Sequence, residues 1–317
     1  MKTIIRVIKK HKTFLISTHV NPDPDALCSE LALAGFLRAR GKKVLIVNHK
    51  PLPQQFRFLP GSSEIKSYKE GQQLAYDVAI VVDCGDLDRI GKVQDLLQEG
   101  KALINIDHHI TNDRFGDINL VQPKASSTAE VLYDLLAAAK HALTKDLAMH
   151  LYIGIMTDTG SFRYENTSAR THAIVAKLME FKYSVPALYR KLYEMISFRD
   201  LKEFTKVISH FDIFSAGKII CVELTKTSLS KFSQAFDLRD AIFRFLRSIK
   251  GVEVFVILTE IERNKTRVNL RSSNKFDVAK LANYFHGGGH RRASGCMIHK
   301  NISKTRTEVI REIKKAL

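Results

Sequence analysis

Thr13-Phe-Leu-Ile-Ser-Thr-His19-Val-Asn-Pro-Asp23-Pro-Asp25 opens on a short apolar run and closes on three residues able to bind a metal. A run of four to eight apolar residues bounded by turn formers reads as a buried strand. The following stretch, Ala26 to Arg40, repeats its apolar residues at helical spacing and stops at Gly41, which suits a helix end. The same alternation returns in the strand-like runs Val44 to Val47, Val78 to Val82 and Leu103 to Ile106, and in the helical stretch Ser127 to Ala139. Roughly the first 160 residues therefore predict a doubly wound, mostly parallel α/β sheet.

A further apolar helix, Lys145 to Met156, runs into Thr157-Asp158-Thr159-Gly160, and another spans Ser168 to Phe181. The pattern changes near Ser184-Val-Pro186. From Phe211 onward, strand-like Ile219 to Leu224, Val252 to Ile261 and Arg267 to Leu270 alternate with helical Ser228 to Ile249, Asp277 to Tyr284 and Thr305 to Ala316. This predicts a smaller α+β domain. The expected boundaries are 1–183 for the first domain, 184–210 for a helical linker and 211–317 for the second.

With 317 residues the chain exceeds what one core usually holds, in keeping with two domains. No apolar run approaches membrane-spanning length, and the basic start Met1-Lys-Thr-Ile-Ile-Arg has no signal-peptide core, so a cytoplasmic protein without a membrane partner is expected. Four scattered cysteines form neither a disulfide framework nor a zinc knuckle and read as buried, reduced thiols. The formal charge of +17 favours anionic partners such as nucleic acid, nucleotides or lipid headgroups.

Three strand-like runs each end in metal-competent residues: His19, Asp23 and Asp25; Asp83; and Asp107-His108-His109. Open α/β sheets bind ligands beyond the carboxyl ends of their strands, so these clusters should meet in one crevice. Clustered carboxylates repel one another unless cations neutralise them. Aspartate oxygens with imidazoles suit Mn²⁺ first, with Mg²⁺, Fe²⁺ or Co²⁺ behind it, and zinc less because no thiolate joins the set. Five or more donors exceed one ion's needs, and two ions bridged by a carboxylate would use them all. Taken singly, Asp83 reads as a helix cap and His19 as an ordinary hydrogen-bonded histidine; Asp158 stands in what is also a good helix-ending turn. Only the combination points to a metal centre.

The second concentrated signal is Phe285-His-Gly-Gly-Gly-His290-Arg291-Arg292-Ala-Ser-Gly295. Consecutive glycines let backbone N–H groups approach an anion, and the residues after them can begin a helix whose positive end faces it. His290, Arg291 and Arg292 add donors for phosphate, and Arg271 follows a strand-like run towards the same end. By itself the segment also reads as a flexible loop with solvated arginines.

Together these motifs resemble the DHH phosphoesterase superfamily, named for the triplet that here is Asp107-His108-His109. His19-x-Asn21-Pro-Asp23-x-Asp25-Ala26 resembles its first motif, Asp83 its second and Thr157-Asp158-Thr159-Gly160 its fourth; Gly287-Gly288-Gly289-His290-Arg291-Arg292-Ala293-Ser294-Gly295 resembles the signature of the DHH-associated C-terminal domain. The resemblance implies that His19, Asp23 and Asp83 hold one ion, and that Asp25, Asp83, His108 and Asp158 hold the other. It gives Asp107 the task of orienting a histidine, makes His109 a donor at the scissile phosphate or leaving oxygen, and assigns a substrate phosphate to Arg271, Gly288, Gly289, His290 and Arg291. An active-site cleft between the two domains is implied too.

Within the superfamily the chain is most similar to nanoRNases that also hydrolyse 3′-phosphoadenosine 5′-phosphate (pAp). The expected function is a two-metal, Mn²⁺-dependent phosphodiesterase and phosphatase acting on short oligoribonucleotides and pAp, with a homodimer compatible. The runner-up is a phosphodiesterase for cyclic dinucleotides or linear pApA. From another class, a non-catalytic nucleic-acid-binding protein with a structural metal site would also use the charge. Pro24 and Cys28 depart from the glycines common in the family, which questions the loop geometry rather than the ligands.

Overall fold

The computed structural model describes every residue except Gln234, Ala235 and Asn274. The chain divides into two compact units, Met1–Leu192 and Tyr193–Leu317.

The first unit begins with the amphipathic helix α1 (Lys2–Lys10), which buries Ile4 and Ile8. Strands β1 (Thr13–Ser17), β2 (Lys43–Asn48), β3 (Ile65–Ser67), β4 (Val78–Val82), β5 (Ala102–Asp107) and β6 (Ile118–Val121) form one sheet in the order β3-β2-β1-β4-β5-β6. Every adjacent pair is parallel. Parallel sheets need cover on both faces, which is why Val78 to Val82 is buried along its whole length. One face carries a core of Leu15, Val47, Ala79 and Val81 with Ile90, Val93 and Leu96 from the segment after β4.

The remaining helices are α2 (Pro24–Arg38), α3 (Thr128–Ala138), α4 (Lys145–Asp158), α5 (Ala169–Met179) and α6 (Val185–Tyr193). Helix α2 touches β1, β2, β4, α3 and α4, so it is apolar on nearly every side and buries Asp25 through Ala34. Pro24 stands in its first turn, where a missing N–H costs nothing and a fixed φ suits the helix. The proline therefore helps to start α2 instead of distorting it.

In the second unit, α7 (Phe198–Ile208), β7 (Asp212–Phe214), β8 (Ile219–Leu224), α8 (Lys226–Leu229), α9 (Leu238–Leu246), β9 (Val254–Glu262), β10 (Lys265–Ser272), α10 (Val278–Tyr284), β11 (Gly288–His290), β12 (Ala293–Ile298) and α11 (Ile302–Ala316) follow in order. The sheet runs β11-β12-β10-β9-β8-β7, antiparallel except for β8 with β9. One face packs Val256, Leu258, Val268 and Leu270 against α10 and α11; the other packs Val222, Phe255 and Ile257 against α9 and Phe204 of α7. The residues 184–210 are thus shared between α6 and α7. Buried Asp200 fixes α7 to the second unit by accepting from the backbone N–H and hydroxyl of Ser233.

Two local readings change. The expected helix Ser228 to Ile249 is two helices, α8 and α9, and residues 234 and 235 within it lie outside the described residues. The glycine-histidine segment does not begin a helix: β11 and β12 form a hairpin turning at Arg291 and Arg292. The residues after the turn are claimed by β10, which pairs with β12 from Thr266↔Ile298 to Arg271↔Ala293.

Candidate metal centre

The sheet order reverses at β1, whose neighbours are β2 and β4, and this switch point opens a crevice at the carboxyl ends of the strands. His19 lies just beyond β1, Asp83 just beyond β4, and Asp107 ends β5. The Thr18 hydroxyl donates to the Val82 carbonyl at 2.8 Å and ties the first two exits together. Asp83 has φ of 53°, a left-handed backbone that costs energy outside glycine. Its N–H donates to Ile106 O at 2.9 Å, which holds that turn against β5.

Helix starts supply the rest. Asp23 is the N-cap of α2, accepting from Ala26 N at 3.0 Å, while the side chain remains exposed enough to serve as a ligand. Asp25 is buried, and its two oxygens accept from Thr128 N at 2.8 Å and Ala129 N at 3.0 Å, the first turn of α3. A helix N-terminus favours such a carboxylate through its unpaired donors and its dipole. Asp158 is the last residue of α4, and Gly160 follows with φ of 56° where the chain turns away.

His19, Asp23 and Asp83 offer donor atoms within 4.8 Å of one another, as do Asp25, Asp83 and His108, and also Asp83, Asp107 and His109. Asp83 belongs to all three groups. His19 Nε2 stands 3.8 Å from Asp83 Oδ2, and His108 Nε2 stands 3.9 Å from Asp83 Oδ1 and 3.3 Å from Asp158 Oδ2. Ligands about 2.1 Å from a common ion and at right angles stand about 3 Å apart, so these separations suit groups arranged round cations. The carbonyl of Ala125, 3.3 Å from His108 Nδ1, orients that ring with Nε2 towards the carboxylates.

The electrostatics require positive charge. Burial, then the charges of Asp83, Asp158 and Asp23, hold the Asp25 carboxyl well above its usual range. Burial and the neighbouring aspartates push Asp158 up to about 6 against the pull of His108. Burial acts to raise Asp83 as well, but His19, His109 and His108 outweigh it and hold that carboxyl low. Burial opposes protonation of His109, yet its hydrogen bond to Asp107 and the charges of Asp83, Asp107 and Asp158 push it up to about 9. A divalent cation would replace protons as the neutralising charge.

Asp107 is buried and does not stand among the outer donors: its Oδ1 accepts from His109 Nδ1 at 2.7 Å and from His108 N at 2.8 Å. In the second unit, Arg271, Ala293 and His290 are in register across β10, β12 and β11 and so share one face of the sheet. The Arg271 guanidinium lies 4.8 Å from the Phe243 ring centroid. Gly289 needs its φ of 134°, and a side chain there would strike Ala293 O and Ser294. Residues Tyr193–Leu317 carry 24 Lys and Arg against 13 Asp and Glu, so most of the net charge of +17 falls on the unit with this loop.

Sequence reasoning missed two residues that shape the centre. Thr128 donates its hydroxyl to Asp83 Oδ1 at 2.7 Å, besides giving its N–H to Asp25. Gly154, inside α4, leaves room for Asp25: a Cβ there would sit 2.5 Å from Asp25 Oδ1 and 2.6 Å from the Ala129 Cβ. A glycine in the middle of an apolar helix was the available signal for the second.

A parallel sheet with carboxylates and imidazoles gathered at its switch point defines an α/β protein built to bind divalent metal. Residues 13–155 match the DHH family N-terminal domain, and residues 225–317 match the DHHA1 domain. Over 298 residues, 93% of this chain and 92% of the relative, the sequence is 31% identical to the probable bifunctional oligoribonuclease and PAP phosphatase NrnA of Streptococcus mutans. It is 29% identical to the bifunctional oligoribonuclease and PAP phosphatase NrnA of Bacillus subtilis, over 94% of each chain. The crystal structure of an exopolyphosphatase-related protein from Bacteroides fragilis superposes with a TM-score of 0.88 at 28% identity, covering 98% of this chain and 94% of the other. The chain belongs to the DHH family.

Proposed function

We propose that this chain is a divalent-metal-dependent phosphoesterase that hydrolyses short oligoribonucleotides and pAp. The observation that carries the reading is the cluster of carboxylates and imidazoles beyond β1, β4 and β5, in a chain aligned nearly end to end with relatives bearing that pair of activities. In this reading His19, Asp23 and Asp83 would hold one ion and Asp25, Asp83, His108 and Asp158 a second, with Asp83 shared between them. The mixture of carboxylate oxygen and imidazole favours Mn²⁺, with Mg²⁺ or Co²⁺ as substitutes. When bound, such ions supply Lewis-acid stabilisation of the charge on the phosphoryl group and a water of lowered pKa.

The protein's own groups do the rest. Thr128 and the first turn of α3 fix Asp83 and Asp25, so the carboxylates are placed before substrate arrives. Asp107 holds His109 by Nδ1, and the ring so oriented carries a proton to the departing ribose oxygen. Arg271, Gly288, Gly289, His290 and Arg291 bind a terminal phosphate of the substrate. Recognition of a terminal phosphate favours short substrates, in which a terminus and a cleavable bond come together, over long polymers.

The test is a rate profile of the purified protein with Mn²⁺ across pAp, dinucleotides, longer RNA, linear pApA and cyclic dinucleotides. Rates should be highest on dinucleotides and pAp and fall with RNA length. No turnover of either by metal-loaded protein would end the proposal, and faster hydrolysis of cyclic dinucleotides would replace it with that activity. Replacing Mn²⁺ by Mg²⁺ or Co²⁺ at equal occupancy should lower the rate.

A further inference from the structure

The loop after β5 carries a side chain that none of the assignments above employs. Asn112 is half-buried, and its Nδ2 lies 2.6 Å from Asp107 Oδ2, 2.8 Å from Asn105 Oδ1 and 3.2 Å from the Cys84 carbonyl. All three are acceptors, so the amide nitrogen must point inward. Its Oδ1 accepts from Arg114 N at 2.7 Å, which settles the other end of the group.

Asn105, fully buried in β5, is itself immobilised, because its Nδ2 lies 3.1 Å from Cys84 O and 3.4 Å from Val81 O. That leaves its Oδ1 aimed at Asn112. The Asp107 carboxylate is then held from both sides: Oδ2 by Asn112, and Oδ1 by His109 Nδ1 and His108 N. Rotation of that carboxylate breaks all three contacts together. A carboxylate gripped at one oxygen only could swing, and the His109 ring would swing with it.

We propose that Asn112 is a positioning residue that acts through Asp107 to aim the His109 ring at the leaving oxygen, with Asn105 as its buried anchor. The proposal rests on the reading of His109 as the proton donor. Its consequence is selective: loss of Asn112 should matter only where the leaving group needs a proton. A ribose oxygen does, whereas p-nitrophenolate departs as the anion.

The experiment compares Asn112→Ala, Asn112→Asp and His109→Ala with the unaltered chain on two substrates with Mn²⁺: an RNA dinucleotide and a nucleoside 5′-(p-nitrophenyl phosphate). Thermal melting and Mn²⁺ titration accompany each variant. The expected result is a kcat on the dinucleotide lower by about 10- to 100-fold in both Asn112 variants, with KM little changed. The p-nitrophenyl ester should lose less than about threefold, since its departure needs no general acid. His109→Ala should show the same discrimination, larger in size. Equal losses on both esters, weakened Mn²⁺ binding that accounts for the loss, or no loss at all would each overturn the role of Asn112. If His109→Ala discriminates and the Asn112 variants do not, the positioning proposal alone falls. If His109→Ala does not discriminate, the reading of His109 falls and takes this proposal with it.

Discussion

Gly154→Ala sets two known effects against each other. In an exposed helix interior this substitution gains up to about 1 kcal/mol, because alanine is the better helix former. At position 154 the added Cβ meets Asp25 Oδ1 at 2.5 Å and Ala129 Cβ at 2.6 Å. Neither neighbour can give way cheaply: Ala129 is backbone-fixed in α3, and both oxygens of Asp25 are held by N–H groups of that helix. Overpacking of this kind costs about 1–3 kcal/mol, and loosening a charge-assisted hydrogen bond adds about 1.5–3 kcal/mol. Net destabilisation should be about 2–4 kcal/mol, read as a fall in Tm of about 4–16 °C for a unit of this size. The displaced carboxylate also weakens metal uptake, so calorimetric titration with Mn²⁺ should show a lower affinity. Gly35→Ala is the control, since its Cβ meets only Leu147 side-chain atoms, the nearest at 3.4 Å. That variant should match or exceed the unaltered chain in stability. Gly154→Ala as stable as the unaltered chain, with its Mn²⁺ affinity intact, would refute the packing argument.

Asp83→Ala should reduce hydrolysis to background and abolish the rise in Tm caused by Mn²⁺, because one side chain contributes to all three donor groups. Thr128→Val should cost about 1.5–3 kcal/mol in a melting experiment by leaving Asp83 Oδ1 without its hydroxyl donor, and Thr128→Ser should recover most of it. Chelation of metal from the loaded protein should lower stability by about 2.7 kcal/mol where free metal had stood at 100 times its Kd. Glu30, completely buried, has its carboxyl pushed up to about 8 by that burial, against the hydrogen bond from Asn48. It keeps its proton in the folded chain and loses it near 4.5 once unfolded, so stability is full at low pH and declines as pH rises from about 4.5 to about 8. Glu30→Gln should flatten that part of the Tm against pH curve, and an unchanged slope would show that Glu30 does not cause it.

The four inner strands of the first sheet were legible because each is a nearly continuous apolar run. β4 matches its expected bounds, Val78 to Val82, and β8 matches Ile219 to Leu224. Apart from β11 and the six-residue β12 of the glycine-histidine hairpin, the strands not foreseen are short: β3 and β7 have three residues each and β6 has four. Too few side chains alternate in them to leave a period, and pairing with a longer neighbour decides their state. β11 was misread for another reason. Gly288-Gly289-His290 has almost no side chain to express a strand preference, so only its backbone pairing with β12 reveals it. The candidate metal-binding side chains were readable because each follows a strand or starts or ends a helix, positions that the sequence marks. Thr128, Asn112 and Gly154 were not, since their importance comes from contacts spanning up to 129 positions in the chain, such as Gly154 against Asp25.

Asp25 lies wedged between the start of α3 and the glycine gap in α4, so the carboxylate is at once a proposed ligand and part of the packing of three helices. A lineage that ceased to need the reaction would relieve the repulsion among Asp25, Asp83 and Asp158 by replacing Asp25 with asparagine, which keeps its shape and an acceptor for the α3 N–H groups. Decay of the activity should therefore begin inside this helix cluster, with selection for a sturdier fold erasing the acid. An aspartate found there in a relative then signals continuing use of metal, and its loss marks a descendant that has kept the architecture and abandoned the chemistry.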